Sequence, residues 1–216
     1  GILDSTLDNQ GNSLFESSVD ALQDSFGIAF WALCEVGTNR KLPESIRSVA
    51  FNILSNIIHH IHRIDHMRSA AYTIIGLSTL IENHEFRDDE TIPTFIKFLS
   101  DQLLEKLSDQ QNSDWFEPQL TYANGVLPAS LIKAGSVLEI DHYLERGKLA
   151  LDFLISETFW DEVYVPIGQN GWYQIQGNRA LFDQLPEEPA SMMLALDIAS
   201  SVFNETPEDW QNLKHI

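Results

Sequence analysis

The stretch LPESIRSVAFNILSNIIHHI, residues 42–61, decides the fold. Its apolar positions are Ile46, Val49, Ala50, Ile53, Leu54, Ile57, Ile58 and Ile61. They recur at i, i+3, i+4 and i+7 without a gap, which sets an apolar stripe along one face of an α-helix. Pro43 stands near the first helical position, where its missing N–H is no loss and its fixed φ suits the helix. A strand would alternate with period two, and this stretch does not.

Working outward from it, the same period recurs on both sides. Residues 19–37 predict a helix closing at Gly37, a good residue just past a helix end. Residues 66–83 carry Ala70, Ala71, Ile74, Ile75, Leu77 and Leu80, and a fourth helix follows Pro93 with Phe95, Phe98, Leu99, Leu103 and Leu107. Further helices are expected at 125–139, 141–156 and 188–203, with one more short one from Pro207. Residues 1–17 are polar and turn-rich and are expected to dock as an extended segment. Strand character is confined to Val163–Ile167 and Tyr173–Gln176, which are expected to pair as a small ribbon. Helix after helix joined by short turns predicts an all-α array of stacked hairpins, a single domain over 1–216, in which each hairpin buries a face on its neighbours.

One irregular stretch, about 158–185, breaks the series. It holds Trp160, Trp172, Tyr173 and Phe182 among Pro166, Gly168, Gly171 and Gly177. Irregular stretches of this length inside a helical domain are usually functional or disordered, and the aromatic content argues against disorder.

Charge narrows the choice of partner. Lys and Arg number 13 against 32 Asp and Glu, a net charge of −19. Such a surface repels phosphate backbones and anionic lipid, so nucleic acid and membrane are not expected partners. A neutral ligand or a cation suits it. No run approaches the roughly 18 apolar residues of a membrane span. The N-terminus has no basic-then-apolar leader, and Cys34, the one cysteine, sits in an apolar run where a buried thiol is expected. These features place the chain in the cytoplasm as an expectation. It opens on Gly1 rather than Met and is read as a possible piece of a longer protein.

Four stretches, in order, carry a resemblance. They are Asp24-Ser25-Phe26-Gly27-Ile28-Ala29-Phe30-Trp31-Ala32-Leu33; Arg68-Ser69-Ala70-Ala71-Tyr72 with Ile75-Gly76-Leu77; Trp115-Phe116-Glu117 with Leu120-Thr121-Tyr122-Ala123-Asn124 and Leu127-Pro128; and Pro166-Ile167-Gly168 with Gly171-Trp172 and Phe182-Asp183-Gln184. Together they resemble the helical domain of bacterial glycosyltransferase-associated proteins of the six-hairpin glycosidase-like class. The likeness covers roughly residues 10–203. It implies an α/α toroid with loops holding sugar at one mouth, fused to or encoded beside a glycosyltransferase. This sequence departs from the pattern at Ile28 (Arg in the family), Ala123 (Asp) and Leu185 (Gln), which puts catalysis in doubt. Seven or eight helices make an incomplete toroid, an arc of about four hairpins. Its uncovered edges predict a homo-oligomer or a larger parent chain.

The candidate site residues follow. Trp115, Trp172 and Tyr173 are expected to stack on pyranose C–H faces, with Tyr122, Asn124 and Gln184 binding hydroxyls. Glu117 and Asp183 are the candidate catalytic pair, since two facing carboxylates are what glycoside hydrolysis needs. Each has a plainer alternative. Trp115 and Phe116 can plug the end of the hairpin stack, Asn124 can cap the next helix, and Glu187 and Glu188 suit the positive start of the last helix. His59, His62 and His66 have a helical spacing that brings imidazoles together, but no further ligand stands at a recognised spacing, so no metal is expected. No glycine-rich phosphate cradle exists, so any nucleotide-sugar donor would bind elsewhere, and no cofactor is expected. The alternative function is a helical-repeat protein-interaction module without a small-molecule site.

Overall fold

The computed structural model of the chain describes residues 19–83, 90–109, 114–161 and 163–203. Among them are seven α-helices: α1 (Val19–Thr38), α2 (Glu44–Ile57), α3 (Met67–Glu82), α4 (Thr91–Asp109), α5 (Val126–Leu138), α6 (Asp141–Thr158) and α7 (Glu187–Val202). Four two-residue strands accompany them: β1 (Gln119–Leu120), β2 (Phe159–Trp160), β3 (Val163–Tyr164) and β4 (Tyr173–Gln174). The protein is mostly helical. The docked segment expected over 1–17 and the short helix expected from Pro207 lie outside the described residues. The chain has two compact units, residues 1–99 and 100–216.

In the first unit α1 packs against both α3 and α2. Its approach to α3 depends on Gly27, where a Cβ would lie 2.7 Å from the Cα and carbonyl oxygen of Ser69, and on Gly76, where one would lie 3.0 Å from the Cα of Trp31. The indole of Trp31 stacks on Tyr72 with centroids 5.8 Å apart. Thr79 Oγ1 donates across the same contact to Glu35 Oε1 at 3.0 Å. Twelve of the sixteen residues of α3 are buried, as in a helix enclosed all round. Burial, with Glu35 adding to it, pushes the Cys34 thiol far above its ordinary range.

Three local expectations change in this unit. Residues 42–61 do not form one continuous α-helix: α2 ends at Ile57 and a tighter 3₁₀ segment spans Ile58–Arg63. The tighter turn puts Ile61 inside and leaves His59, His60 and His62 exposed. Gly37 is not past the end of α1 but inside its last turn. Thr38 Oγ1 donates to Cys34 O, and Arg47 Nε donates to Gly37 O, both closing that end. Nor is the apolar stripe of α2 wholly covered. Ala50 and Leu54 are buried, but Ile46, Val49 and Ile53 remain 48%, 59% and 42% exposed.

In the second unit α5 packs against α6 and α7. The α5–α6 contact is close because Gly135 meets Leu144 and Gly147 meets Ile132 with no room for a Cβ. Tyr143 on α6 donates to Asp101 Oδ1 on α4 at 2.6 Å. Burial, that hydrogen bond and the Asp101 charge together hold the Tyr143 phenol well above its usual range. The expected ribbon between 163–167 and 173–176 does not form. Instead β2 pairs antiparallel with β3, and β4 pairs antiparallel with β1. Only two residues separate β2 from β3, the commonest hairpin spacing, and β4 takes its hydrogen bonds from β1 instead. Among the described residues, no helix is long and apolar enough to cross a membrane.

Candidate functional site

The chain leaving α6 builds the site. Thr158 Oγ1 donates back to Leu154 O, ending the helix, and Val165 N donates to Thr158 O at 2.7 Å behind the β2–β3 hairpin. Ile167 is then buried, and Gly168 bridges to Gln184. No other residue fits at 168, because a Cβ there would lie 2.0 Å from Phe182 O. The loop is stitched further by Gly168 N to Ala180 O, Gln169 N to Asp183 O, Trp172 N to Gly168 O and Ala180 N to Trp172 O.

Arg179 is the one cation between Thr158 and Leu185, and two of its three guanidinium nitrogens hold the loop. Its guanidinium donates to the carbonyls of Glu157 and Val165. It also lies over the rings of Trp160, at 4.6 Å, and Tyr173, at 5.9 Å. These cation–π contacts and carbonyl bonds fix the charge inside the loop, and desolvation by burial lowers its pKa from the ordinary value.

The turn at 168–171 and the segment 183–185 border an open surface cavity of about 510 Å³, lined by Gln169, Asn170, Asp183, Gln184 and Leu185. Gln184 Nε2 donates to Pro166 O and Leu181 O. The side chains of Gln169, Asn170 and Asp183 make no hydrogen bond or ion pair among the described residues. Amides supply both donors and acceptors, the carboxylate supplies acceptors, and Leu185 adds an apolar patch.

Of the residues expected at a site, the cavity brings together Asp183 and Gln184. Glu117 does not line it, so the expected carboxylate pair is not assembled there. Trp172 and Tyr122 lie against each other at 6.4 Å between centroids. Tyr173 lies against Arg179, and its hydroxyl accepts from Gln176 N. Burial raises the Tyr173 phenol, and Glu157 adds to that rise.

Two residues take structural places. Trp115, expected to stack on sugar, is 0% exposed, edge-on to Phe116 and 5.8 Å from Phe153. A ring enclosed in this way offers no face to a ligand. Asn124 is buried too, but it does not cap α5, whose N-cap is Gly125 with no side-chain bond. Instead its Oδ1 accepts from Thr121 N, and its Nδ2 donates to Thr121 O at 2.9 Å and to Glu188 Oε2 at 2.8 Å.

Sequence reasoning missed Glu188. Only 1% exposed, it accepts from Asn124, 64 positions away, and its charge helps burial raise the Tyr164 phenol. It also missed Gln169 and Asn170. Their signal was two amides placed just before Gly171, which adopts a positive φ of 116°. Comparison of the chain with known protein families, with curated proteins and with solved structures finds no match.

Proposed function

We propose that this chain binds a carbohydrate at the cavity formed by 168–171 and 183–185. The observation that carries the proposal is the lining itself: three amides, one carboxylate and one leucine, with no cation. Such a set exchanges hydrogen bonds with hydroxyl groups and gives no foothold to phosphate. A volume of about 510 Å³ accommodates one or two sugar rings, within the range of small-molecule sites. Binding rather than hydrolysis is proposed, because only one of the two expected carboxylates lines the cavity.

The resemblance extends the proposal to an α/α toroid that serves a glycosyltransferase in the cytoplasm. Contacts of α1 with α3 and of α5 with α7, each skipping a helix, support alternating layers of hairpins. The alternative, a protein-interaction module, is favoured by the exposed stripe Ile46, Val49 and Ile53 on α2. The same stripe supports a homo-oligomer or a larger parent chain.

Isothermal titration against a panel of neutral mono- and disaccharides tests the proposal. Wild type is expected to bind at least one of them, and Gln169→Ala with Asn170→Ala is expected to weaken it about tenfold or more, a loss of about 1.4 kcal/mol. Silence across the panel, with the chain folded, favours the interaction module.

A further inference from the structure

We infer that the cavity selects an amino sugar: it takes a saccharide bearing a protonated amine in preference to its neutral counterpart, and it discriminates against uronic and phosphorylated sugars. The inference rests on the carbohydrate reading and adds the charge of the substrate to it.

Three observations carry it. First, Asp183 stands in the cavity wall with no ion pair and no side-chain hydrogen bond among the described residues. An exposed carboxylate facing three uncharged amides is a one-sided electrostatic environment. Second, the one cation of the surrounding loop is withdrawn from the site. Arg179 points Nη1 and Nη2 at the carbonyls of Glu157 and Val165, lies over Trp160 and Tyr173, and does not line the cavity. It therefore neither neutralises Asp183 nor welcomes an anion. Third, Asp183 is held in place by the backbone: its φ is +58°, and its carbonyl accepts from Gln169 N at 3.0 Å. The backbone that carries the carboxylate is thus fixed beside Gln169 and Asn170, rather than on a wandering loop tip.

The chain's net charge of −19 adds a long-range term of the same sign, drawing cations toward the surface and turning anions away. A sugar meets the amides with its hydroxyls, lays an apolar ring face on Leu185, and meets Asp183 with its ammonium group. Because Asp183 is exposed, the pair is worth little in absolute terms. Solvent-exposed ion pairs correspond to a gain of about two- to fivefold in affinity, and added salt reduces it.

The test uses three methyl glycosides, neutral, 2-amino-2-deoxy and uronic, each in the gluco, galacto and manno series. Binding is measured by titration calorimetry at mildly acid pH, where the amine is protonated, at low and at high salt. Asp183→Asn is measured beside wild type. Asn tolerates the left-handed backbone as Asp does, so this variant keeps the loop and removes only the charge. Within at least one series, the amino glycoside is expected to bind wild type about two- to fivefold tighter than the neutral one. The uronic glycoside is expected to bind more weakly than both. In Asp183→Asn the three affinities should converge, and in wild type high salt should narrow them.

Equal affinity of amino and neutral glycosides for wild type overturns the inference and leaves carbohydrate binding standing. So does a preference that survives in Asp183→Asn. Failure of all nine glycosides to bind removes the carbohydrate reading and the inference with it.

Discussion

Replacing Asn124 with alanine should cost the protein about 2.5–6 kcal/mol. Three hydrogen bonds go: Nδ2 to Glu188 Oε2, Nδ2 to Thr121 O, and Thr121 N to Oδ1. The first, to a carboxylate, is worth about 1.5–3 kcal/mol, and each of the others about 0.5–1.5 kcal/mol. All lie in the interior, where water does not replace the lost partner. Domain stability is typically about 5–15 kcal/mol in total, so the loss is large, and urea denaturation with linear extrapolation reads it directly. The damage should also reach the cavity. Glu188 N donates to Leu185 O, and Leu185, Gln184 and Asp183 form one wall, so their amide NMR shifts should move. Asn124→Asp makes a sharper companion. It keeps the acceptor for Thr121 N but sets a second carboxylate oxygen about where Nδ2 now lies 2.8 Å from Glu188. Two carboxyls that close do not both ionise, so one folded-state pKa rises above its unfolded value of about 4. A raised acid favours the folded state while protonated, and that advantage is lost as pH climbs from the unfolded pKa through the folded one. The deficit of Asn124→Asp should therefore be least near pH ~4 and grow toward neutrality. A cost below about 1 kcal/mol for the alanine variant, or a flat pH profile for the aspartate one, would refute the reasoning.

Three more outcomes follow from the packing. Gly27→Ala forces a methyl group to within 2.7 Å of the Ser69 backbone. It should destabilise by about 1–3 kcal/mol, and an unchanged thermal midpoint by circular dichroism would rule out so close an α1–α3 approach. Trp115→Ala should cost about 3–5 kcal/mol in chemical denaturation. Trp115→Phe should cost under about 1.5 kcal/mol, because the buried indole N–H has no acceptor among the described residues and its removal offsets lost contacts. A Phe variant as poor as the Ala variant would contradict that. Cys34, buried and with its thiol pKa raised, should resist a thiol reagent at neutral pH in the native protein and react fully in denaturant. Rapid native labelling would place it at the surface.

Periodicity made the helices legible, because an apolar residue every three or four positions has few other meanings. It could not say which apolar faces are covered. Ile46, Val49 and Ile53 belong to the same stripe as Ala50 and Leu54, yet only the latter two are buried. Asp183 drew notice because an acid between Phe182 and Gln184 is oddly placed for plain solubility, and Gln184 only through the resemblance; both line the cavity. Trp115 was not: an indole beside a carboxylate looks the same whether it faces sugar or core. Glu187 and Glu188 share one helical turn, and a rotation of about 100° between them leaves one exposed and the other bonded to Asn124. Which of the two turns inward depends on a partner 64 positions away. The two-residue strands carry no period at all, so their pairing could not be read.

The loop that bears the cavity is also where the backbone departs most from its preferred conformations. Asp161, Trp172, Gln176 and Asp183 all have positive φ, between 49° and 65°. For an L-residue this region costs about 1–2 kcal/mol, less for Asp. Such conformations persist only where surrounding bonds over-determine them, and here those bonds are on view. Trp172 is clamped by its N–H on Gly168 O and its carbonyl under Ala180 N, and Asp183 by Gln169 N. A loop held in this way is a preformed wall rather than a closing lid. A ligand bound there, as proposed, would order little further chain, so the entropic cost of binding to a small, open set of amides and one carboxylate would be low. The strain and the site are therefore coupled. Trp172→Gly would keep both backbone bonds and ease the positive φ, but it would remove the indole packed against Tyr122 and loosen the segment from which Gln169 and Asn170 project, so affinity should fall even where stability does not.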